Sequence, residues 1–198
     1  MRVISGTAKG RRLKAPPGNT TRPITDMIKE ALFNVLGQSI QKSEFLDLFA
    51  GSGSVGIEAL SRGAGRVVFI DNSPAAVKTI RENLDTCNFP DGYVILKEDV
   101  LTAAQSLGKK NTLFDYIYID PPFTQESIFP RIMKAIDKIN ILNNKGVLII
   151  RTPRRMEMPE CYQNLKRIRH NHYGESTLHY YQIYKEVTVN DGNSAYSG

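Results

Sequence analysis

Leu46-Asp47-Leu48-Phe49-Ala50-Gly51-Ser52-Gly53-Ser54-Val55-Gly56, LDLFAGSGSVG, is the stretch that decides how this 198-residue chain folds. It opens as an apolar strand, sets Gly51, Gly53 and Gly56 at the spacing G-x-G-x-x-G, and leads into an apolar run at helical spacing. A strand that ends in such a loop and starts a helix brings backbone N–H groups to the carboxyl edge of a sheet, where adenosine-containing ligands bind. Asp71 follows Gly51 by about twenty positions, at the end of a second strand-like run, where a carboxylate can accept hydrogen bonds from ribose hydroxyls. No Gly-Lys-Ser/Thr follows the loop, which excludes a Walker phosphate loop.

Outward from this loop the chain alternates. Residues 45–49, 66–70, 93–96, 114–119 and 147–151 are strand-like, and helical patterns begin near Val55, Pro74, Val100 and Ser127. That rhythm predicts an α/β fold: a parallel sheet covered by helices on both faces, with ligands at the carboxyl ends of its strands. Residues 165–185 carry two further strands broken near Gly174 and Glu175, a turn short enough to require antiparallel pairing at one edge. Upstream, residues 2–13 predict a basic hairpin and Pro16, Pro17 and Gly18 break the chain. The apolar stripe Ile28, Leu32, Phe33, Val35, Leu36 then predicts a helix over Asp26–Leu36, capped by Thr25 or Asp26. The expected organisation is a hairpin and helix over residues 1–40, a main domain over 41–186 and a polar tail over 187–198.

With 41% hydrophobic and 23% charged residues the composition is that of an ordinary globular protein. Its apolar runs are strand-sized, short of the roughly 18 residues of a membrane-spanning helix. The start lacks the apolar core of a signal peptide, so a cytoplasmic location is expected. Cys87 and Cys161 lie far apart and form no C-x-x-C pair, which predicts neither a disulfide scaffold nor a metal site. The formal net charge of +6 points to an anionic partner, nucleic acid first.

The glycine loop with its distant acid fits a dinucleotide enzyme and an S-adenosylmethionine enzyme equally. Asp47 separates them: a carboxylate inside the first strand would repel a pyrophosphate, but it can attract the ammonium of a methionyl group. Asp99-Val100, after the third strand, offers an acceptor for an adenine amine and an apolar face for the ring; a plain helix cap is the alternative. The fourth strand runs into Asp120-Pro121-Pro122-Phe123. An exocyclic nucleobase amine is a poor nucleophile because its lone pair is delocalised into the ring. Two acceptors, the Asp120 carboxylate and the Pro121 carbonyl, can favour a more tetrahedral nitrogen. The prolines fix φ and withhold competing N–H donors, while Phe123 offers a stacking face.

On these residues the chain resembles the class I methyltransferases of exocyclic nitrogens, whose signature is Asp/Asn/Ser-Pro-Pro-Tyr/Phe. More narrowly it resembles the RsmD family of bacterial 16S rRNA guanine-N2 methyltransferases, through SGTAKGRRLKAP, TRPITDMIKEALFNVL, LDLFAGSGSVGIEALSRGA and FDYIYIDPPF. The resemblance implies a seven-stranded Rossmann-like sheet with one antiparallel strand, S-adenosyl-L-methionine as donor, and guanine in small-subunit ribosomal RNA, free or assembling into the subunit, as acceptor. It implies that Asp47, Ala50, Gly51, Ser52, Gly53 and Gly56 hold the methionine part. Asp71 and Asn72 would hold the ribose, Asp99 and Val100 the adenine, and Asp120, Pro121, Pro122 and Phe123 the base. Asp71 stands where the family commonly carries glutamate, and RTPRR after the fifth strand is unusually basic for it. Lys9, Arg11, Arg12, Lys14 and Arg22 form a basic arm suited to gripping phosphates; Arg22, Pro23, Thr25 and Asp26 could instead close over the cofactor. His170, His172, His179, Tyr180 and Tyr181 are expected to pack rather than react. The competing readings are transfer to adenine N6 or cytosine N4 of DNA or to another RNA, a nicotinamide oxidoreductase, and a non-catalytic RNA-binding factor.

Overall fold

The structure, a computed structural model, describes residues 1–17 and 24–184. Arg22, Pro23 and the tail expected over residues 187–198 lie outside the described residues. Seven strands form one sheet: β1 (Glu44–Leu48), β2 (Arg66–Asp71), β3 (Tyr93–Lys97), β4 (Phe114–Ile119), β5 (Leu142–Pro153), β6 (Leu165–Tyr173) and β7 (Ser176–Ile183). Their order is β3-β2-β1-β4-β5-β7-β6. β1 to β5 pair in parallel, and β7 runs antiparallel to both β5 and β6. The sheet thus has the seven strands and the one antiparallel strand, β7, that the resemblance implies. The chain leaves β1 toward β2 on one side and reaches β4 on the other, so the topological switch, and the crevice it opens, lies between β1 and β4.

Side chains alternate between two cores. Phe45, Phe69, Tyr116, Tyr118, Ile149 and Tyr180 face α1 (Asp26–Leu36), α2 (Ser54–Ser61) and α3 (Pro74–Thr86). Leu46, Leu48, Ile70, Ile117, Ile119 and Ile150 face α4 (Val100–Lys109) and α5 (Ile128–Lys138). Strands covered on both faces must be apolar throughout, which is why β1, β2 and β4 read as near-continuous hydrophobic runs. The carboxylates at their ends are therefore exceptions that need partners. Local signals set the helix starts: the Thr25 hydroxyl accepts from Ile28 N (3.3 Å), and Ser73 caps α3 just ahead of Pro74.

Two elements differ from the expectation. β5 begins at Leu142 rather than near Val147, because the pairing with β4 shifts register between Phe114 and Tyr116 and admits the polar residues Asn143 to Lys145. The hairpin is reduced to an antiparallel bridge between Arg2 and Arg12, with Val3 N–H on the Arg11 carbonyl and Gly10 N–H on that of Val3, both 2.9 Å. Its position is set by a buried charge. Glu58 of α2 is fully buried and accepts from Ile4 N (2.7 Å), Ser5 N (3.0 Å) and Arg62 Nε (2.8 Å). Lys29 Nζ lies 3.4 Å from the same carboxylate and donates to the Arg2 carbonyl (2.6 Å); burial pushes its pKa down, against the pull of Glu58. Removing one partner of such a buried group typically costs about 3–5 kcal/mol, since the other charge is left uncompensated.

Candidate active site

The glycine loop closes tightly on the carboxyl edge: Ala50 N–H donates to the Ile70 carbonyl (3.0 Å) and Gly53 N–H to that of Ala50 (2.7 Å). Its glycines are required for different reasons. Gly51 has φ 55°, and a Cβ there would meet only the Phe49 carbonyl oxygen, at 3.9 Å, so the loop is open on that side. Gly56 sits in α2, where a Cβ would lie 2.2 Å from the Phe69 ring; its bareness lets the helix close on β2. Phe49, just ahead of the loop, also has φ 61°, and such strain concentrates at ligand sites.

Three carboxylates end three neighbouring strands. Asp47, 2% exposed, accepts from Gly56 N (2.9 Å) through Oδ2, satisfying an N–H of the first turn of α2. Burial pushes its pKa up to about 8; the Gly56 N–H opposes this, and the charges of Asp120 and Asp71 add to it. Asp71 accepts from Gly51 N (2.8 Å) and Ser73 N (2.9 Å), so its short side chain ties β2 to the glycine loop. Asp120 is joined to β1 by its own N–H on the Leu48 carbonyl (3.3 Å).

At the other side of the crevice the partners are side chains. Asp120 Oδ2 accepts from Arg151 Nη1 (2.8 Å) and Tyr118 OH (3.2 Å). Burial raises the Asp120 pKa, and the Arg151 cation and the two hydrogen bonds pull it back. Arg151, 3% exposed at the end of β5, also donates through Nε to Ser176 Oγ (3.2 Å) and sets its guanidinium carbon 4.8 Å from the Phe123 ring centroid. Phe123 is half-buried and packs on Phe129 at 6.3 Å between centroids. The turn after the prolines is closed by Gln125 N–H on the Pro122 carbonyl (3.0 Å), which does not draw in the Pro121 carbonyl.

Asp99 takes the cap role: its Oδ1 accepts from Leu101 N (3.0 Å) and Thr102 N (3.1 Å) of α4, beside a buried Val100, and Asn72 is exposed. The cap leaves the second oxygen of Asp99 outside these contacts. In the arm, Lys9, Arg11 and Arg12 are exposed, whereas the Lys14 ammonium pairs with Glu82 (2.9 Å). Buried Asn83 joins arm and loop, accepting from Lys14 N (2.9 Å) and donating to the carbonyls of Lys14 (3.0 Å) and Ser52 (2.9 Å). His179 is buried against Thr152 (3.1 Å), its pKa pushed down to about 4 by burial and then by Arg167, and Tyr181 donates to the Pro159 carbonyl (2.7 Å). Among the described residues no three His, Cys, Asp or Glu side chains are grouped to hold a metal ion.

The sequence reading gave no site role to Tyr118, Glu58 or Asn83, and it marked Arg151 only as the first residue of the basic RTPRR placed after the fifth strand, whereas β5 runs to Pro153. For Arg151 a signal existed: a charge ends the apolar run Val147 to Ile150, as Asp47, Asp71 and Asp120 end or nearly end theirs.

A family profile described as "Conserved hypothetical protein 95" matches residues 1–182. The protein YlbH of Bacillus subtilis is 38% identical over 174 residues, 88% of this chain and 94% of its own length. "Ribosomal RNA small subunit methyltransferase D" of Escherichia coli is 34% identical over 148 residues, 75% of this chain and 69% of its own length. The solved structure of the Escherichia coli protein yhhF superposes with a TM-score of 0.78 at 27% identity, covering 92% of this chain and 97% of that one. Arm, glycine loop and Asp-Pro-Pro-Phe turn all lie within the matched region, and the chain belongs to the conserved hypothetical protein 95 family, the RsmD family named from its motifs.

Proposed function

We propose that this chain transfers a methyl group from S-adenosylmethionine to the exocyclic N2 amine of a guanine in small-subunit (16S) ribosomal RNA, in the cytoplasm. The observation that carries the reading is Asp120: a carboxylate at the switch point, both of whose side-chain hydrogen bonds fall on Oδ2, beside a half-buried aromatic ring and a glycine loop. The name of the Escherichia coli relative supports small-subunit ribosomal RNA as the substrate.

The residues fit adenosylmethionine. The open side of Gly51 gives it backbone to lie against, and a buried Asp47 that holds its proton up to about pH 8 is matched to the ammonium of a methionyl group, which would ionise it. Asp71 and Asn72 would hold the ribose, and the outer oxygen of Asp99 with Val100 the adenine. Bound there, the cofactor supplies an electrophilic methyl on a sulfonium.

The chain's own part is alignment. Asp120 Oδ1 and the Pro121 carbonyl each accept an N–H of the amine, which draws the nitrogen lone pair out of conjugation and aims it across about 3 Å. Stacking on Phe123 contributes roughly 1–3 kcal/mol to holding the base. The base has to leave its stack to reach this depth. The exposed cations Lys9, Arg11 and Arg12, with Arg22, take the phosphates around it.

The test supplies labelled adenosylmethionine with undermethylated small subunits, bare rRNA or DNA, followed by nucleoside analysis. Label in N2-methylguanosine is expected; label only in DNA, or in no nucleic acid, overturns the proposal. NAD binding in place of adenosylmethionine would make the chain an oxidoreductase. Replacing Arg11 and Arg12 with Gln should lower the salt dependence of RNA binding by about one unit of slope per lost phosphate contact. An unchanged slope removes the arm from the interface.

A further inference from the structure

We propose that Arg151 is a positioning residue for the transfer: it occupies Asp120 Oδ2 and backs the inner side of the Phe123 ring, so that Oδ1 and the outer ring face meet the base in one fixed geometry. The inference rests on the function proposed above and adds to it a residue on a strand that carries none of the recognised motifs.

A carboxylate has two equivalent oxygens and turns about its Cβ–Cγ bond. Unless one oxygen is held, the acceptor offered to the amine has no set direction. Arg151 holds it at 2.8 Å, with Tyr118 OH on the same oxygen at 3.2 Å. The guanidinium is itself held: Nε bonds Ser176 on β7, and the planar group lies 4.8 Å from the Phe123 centroid. One planar cation thus orders both contacts the base would make, the acceptor and the stacking face. This requires arginine, because a lysine ammonium has no plane to lay on a ring and no second nitrogen fixed at a set angle.

A guanidinium that donates to Asp120 and lies on Phe123 also resembles the edge of guanine, so the rival is an occupant of the base's own place. Burial argues for the positioning role: Arg151 is 3% exposed and tied to β7 as part of the wall, whereas Phe123 is half-buried and keeps exposed surface for a base. The other ionisable groups facing Asp120 are Tyr118 on β4, whose phenol burial keeps un-ionised, and Asp47 on β1, whose pKa the Asp120 charge helps to raise.

The experiment compares wild type with Arg151→Met and Arg151→Lys. In the protein alone, the Asp120 carboxyl is titrated by carbon NMR, its resonance assigned by its loss in Asp120→Asn. The midpoint should move up in Arg151→Met and return most of the way in Arg151→Lys. A midpoint that does not move in the Met variant overturns the clamp, and this readout needs no RNA. Should the Met variant not fold, Arg151→Lys decides alone: it keeps the midpoint but should lose on the order of 100-fold in kcat, with the KM for adenosylmethionine unchanged. Full turnover in the Lys variant also overturns the proposal. In the kinetic arm the acidic limb of the Met variant's rate profile should move to higher pH. A gain in rate or RNA affinity on removing Arg151 would make it an occupant instead. If wild type methylates no RNA, the function proposal falls while the titration still judges the clamp.

Discussion

The two sides of the crevice hold their carboxylates in different ways. On the glycine-loop side, Asp47 and Asp71 are satisfied by backbone N–H groups of Gly56, Gly51 and Ser73. On the Asp-Pro-Pro-Phe side, Asp120 is satisfied by side chains, Arg151 from β5 and Tyr118 from its own strand. Backbone donors fix a site through conformation, so on the first side cofactor binding follows the geometry of the loop. Side-chain donors fix it through a clamp of separate side chains, so on the second side transfer can be lost while the cofactor still binds.

The sharpest way to break this contrast is Asp120→Ala. It should leave adenosylmethionine affinity unchanged while lowering methyl transfer on the order of 100-fold or more, as single preorganised contacts in active sites do. Equilibrium dialysis and single-turnover labelling read the two separately, and a parallel loss of cofactor affinity would erase the distinction between the sides. Next comes the glycine loop. Gly56→Ala drives a methyl to 2.2 Å from the Phe69 ring and should cost about 1–3 kcal/mol in urea unfolding. Gly51→Ala meets open space, so beyond the strain of a positive φ its effect should appear as weaker cofactor binding with the fold retained. Equal unfolding midpoints for the two variants would contradict the separate roles given to them.

The last test reads a slope rather than a loss. The folded-state pKa of Asp47, raised to about 8, lies above the ordinary carboxylate value, so the folded chain holds a proton that the unfolded chain has released. Between an ordinary carboxylate pKa and about pH 8 this group therefore subtracts stability as pH rises. Asp47→Asn should flatten that part of the urea-midpoint profile against pH, and an unaltered profile would mean that Asp47 ionises normally. Adenosylmethionine binding below pH 8 should release a proton in wild type and not in Asp47→Asn, read by calorimetry in buffers of different ionisation enthalpy.

The same contrast explains what could be read in advance. Glycine spacing, alternating strands and helices, and the Gly174 turn are local demands of the backbone, so they leave a pattern along the chain. Gly51, Gly53, Gly56, Asp71 and the end of β4 were legible for that reason. Arg151 meets Asp120 across 31 positions of sequence, and Asn83 meets Lys14 across 69; neither pairing leaves a local trace. The insertion of β7 between β5 and β6 was likewise hidden, because a short turn demands antiparallel pairing without saying which strand lies outermost. The early start of β5 escaped because Asn143 to Lys145 have no strand composition and are admitted only by the register break opposite Phe114.

The anchoring of the hairpin carries one more implication. Ile4 and Ser5 offer Glu58 only their amides, and Arg2 offers Lys29 only its carbonyl. The path of that peptide is thereby specified from beneath, independently of the side chains it displays outward. Lys9, Arg11 and Arg12 can consequently be exchanged without disturbing the platform that carries them, which leaves this corner of the protein free to vary its surface charge over a fixed backbone.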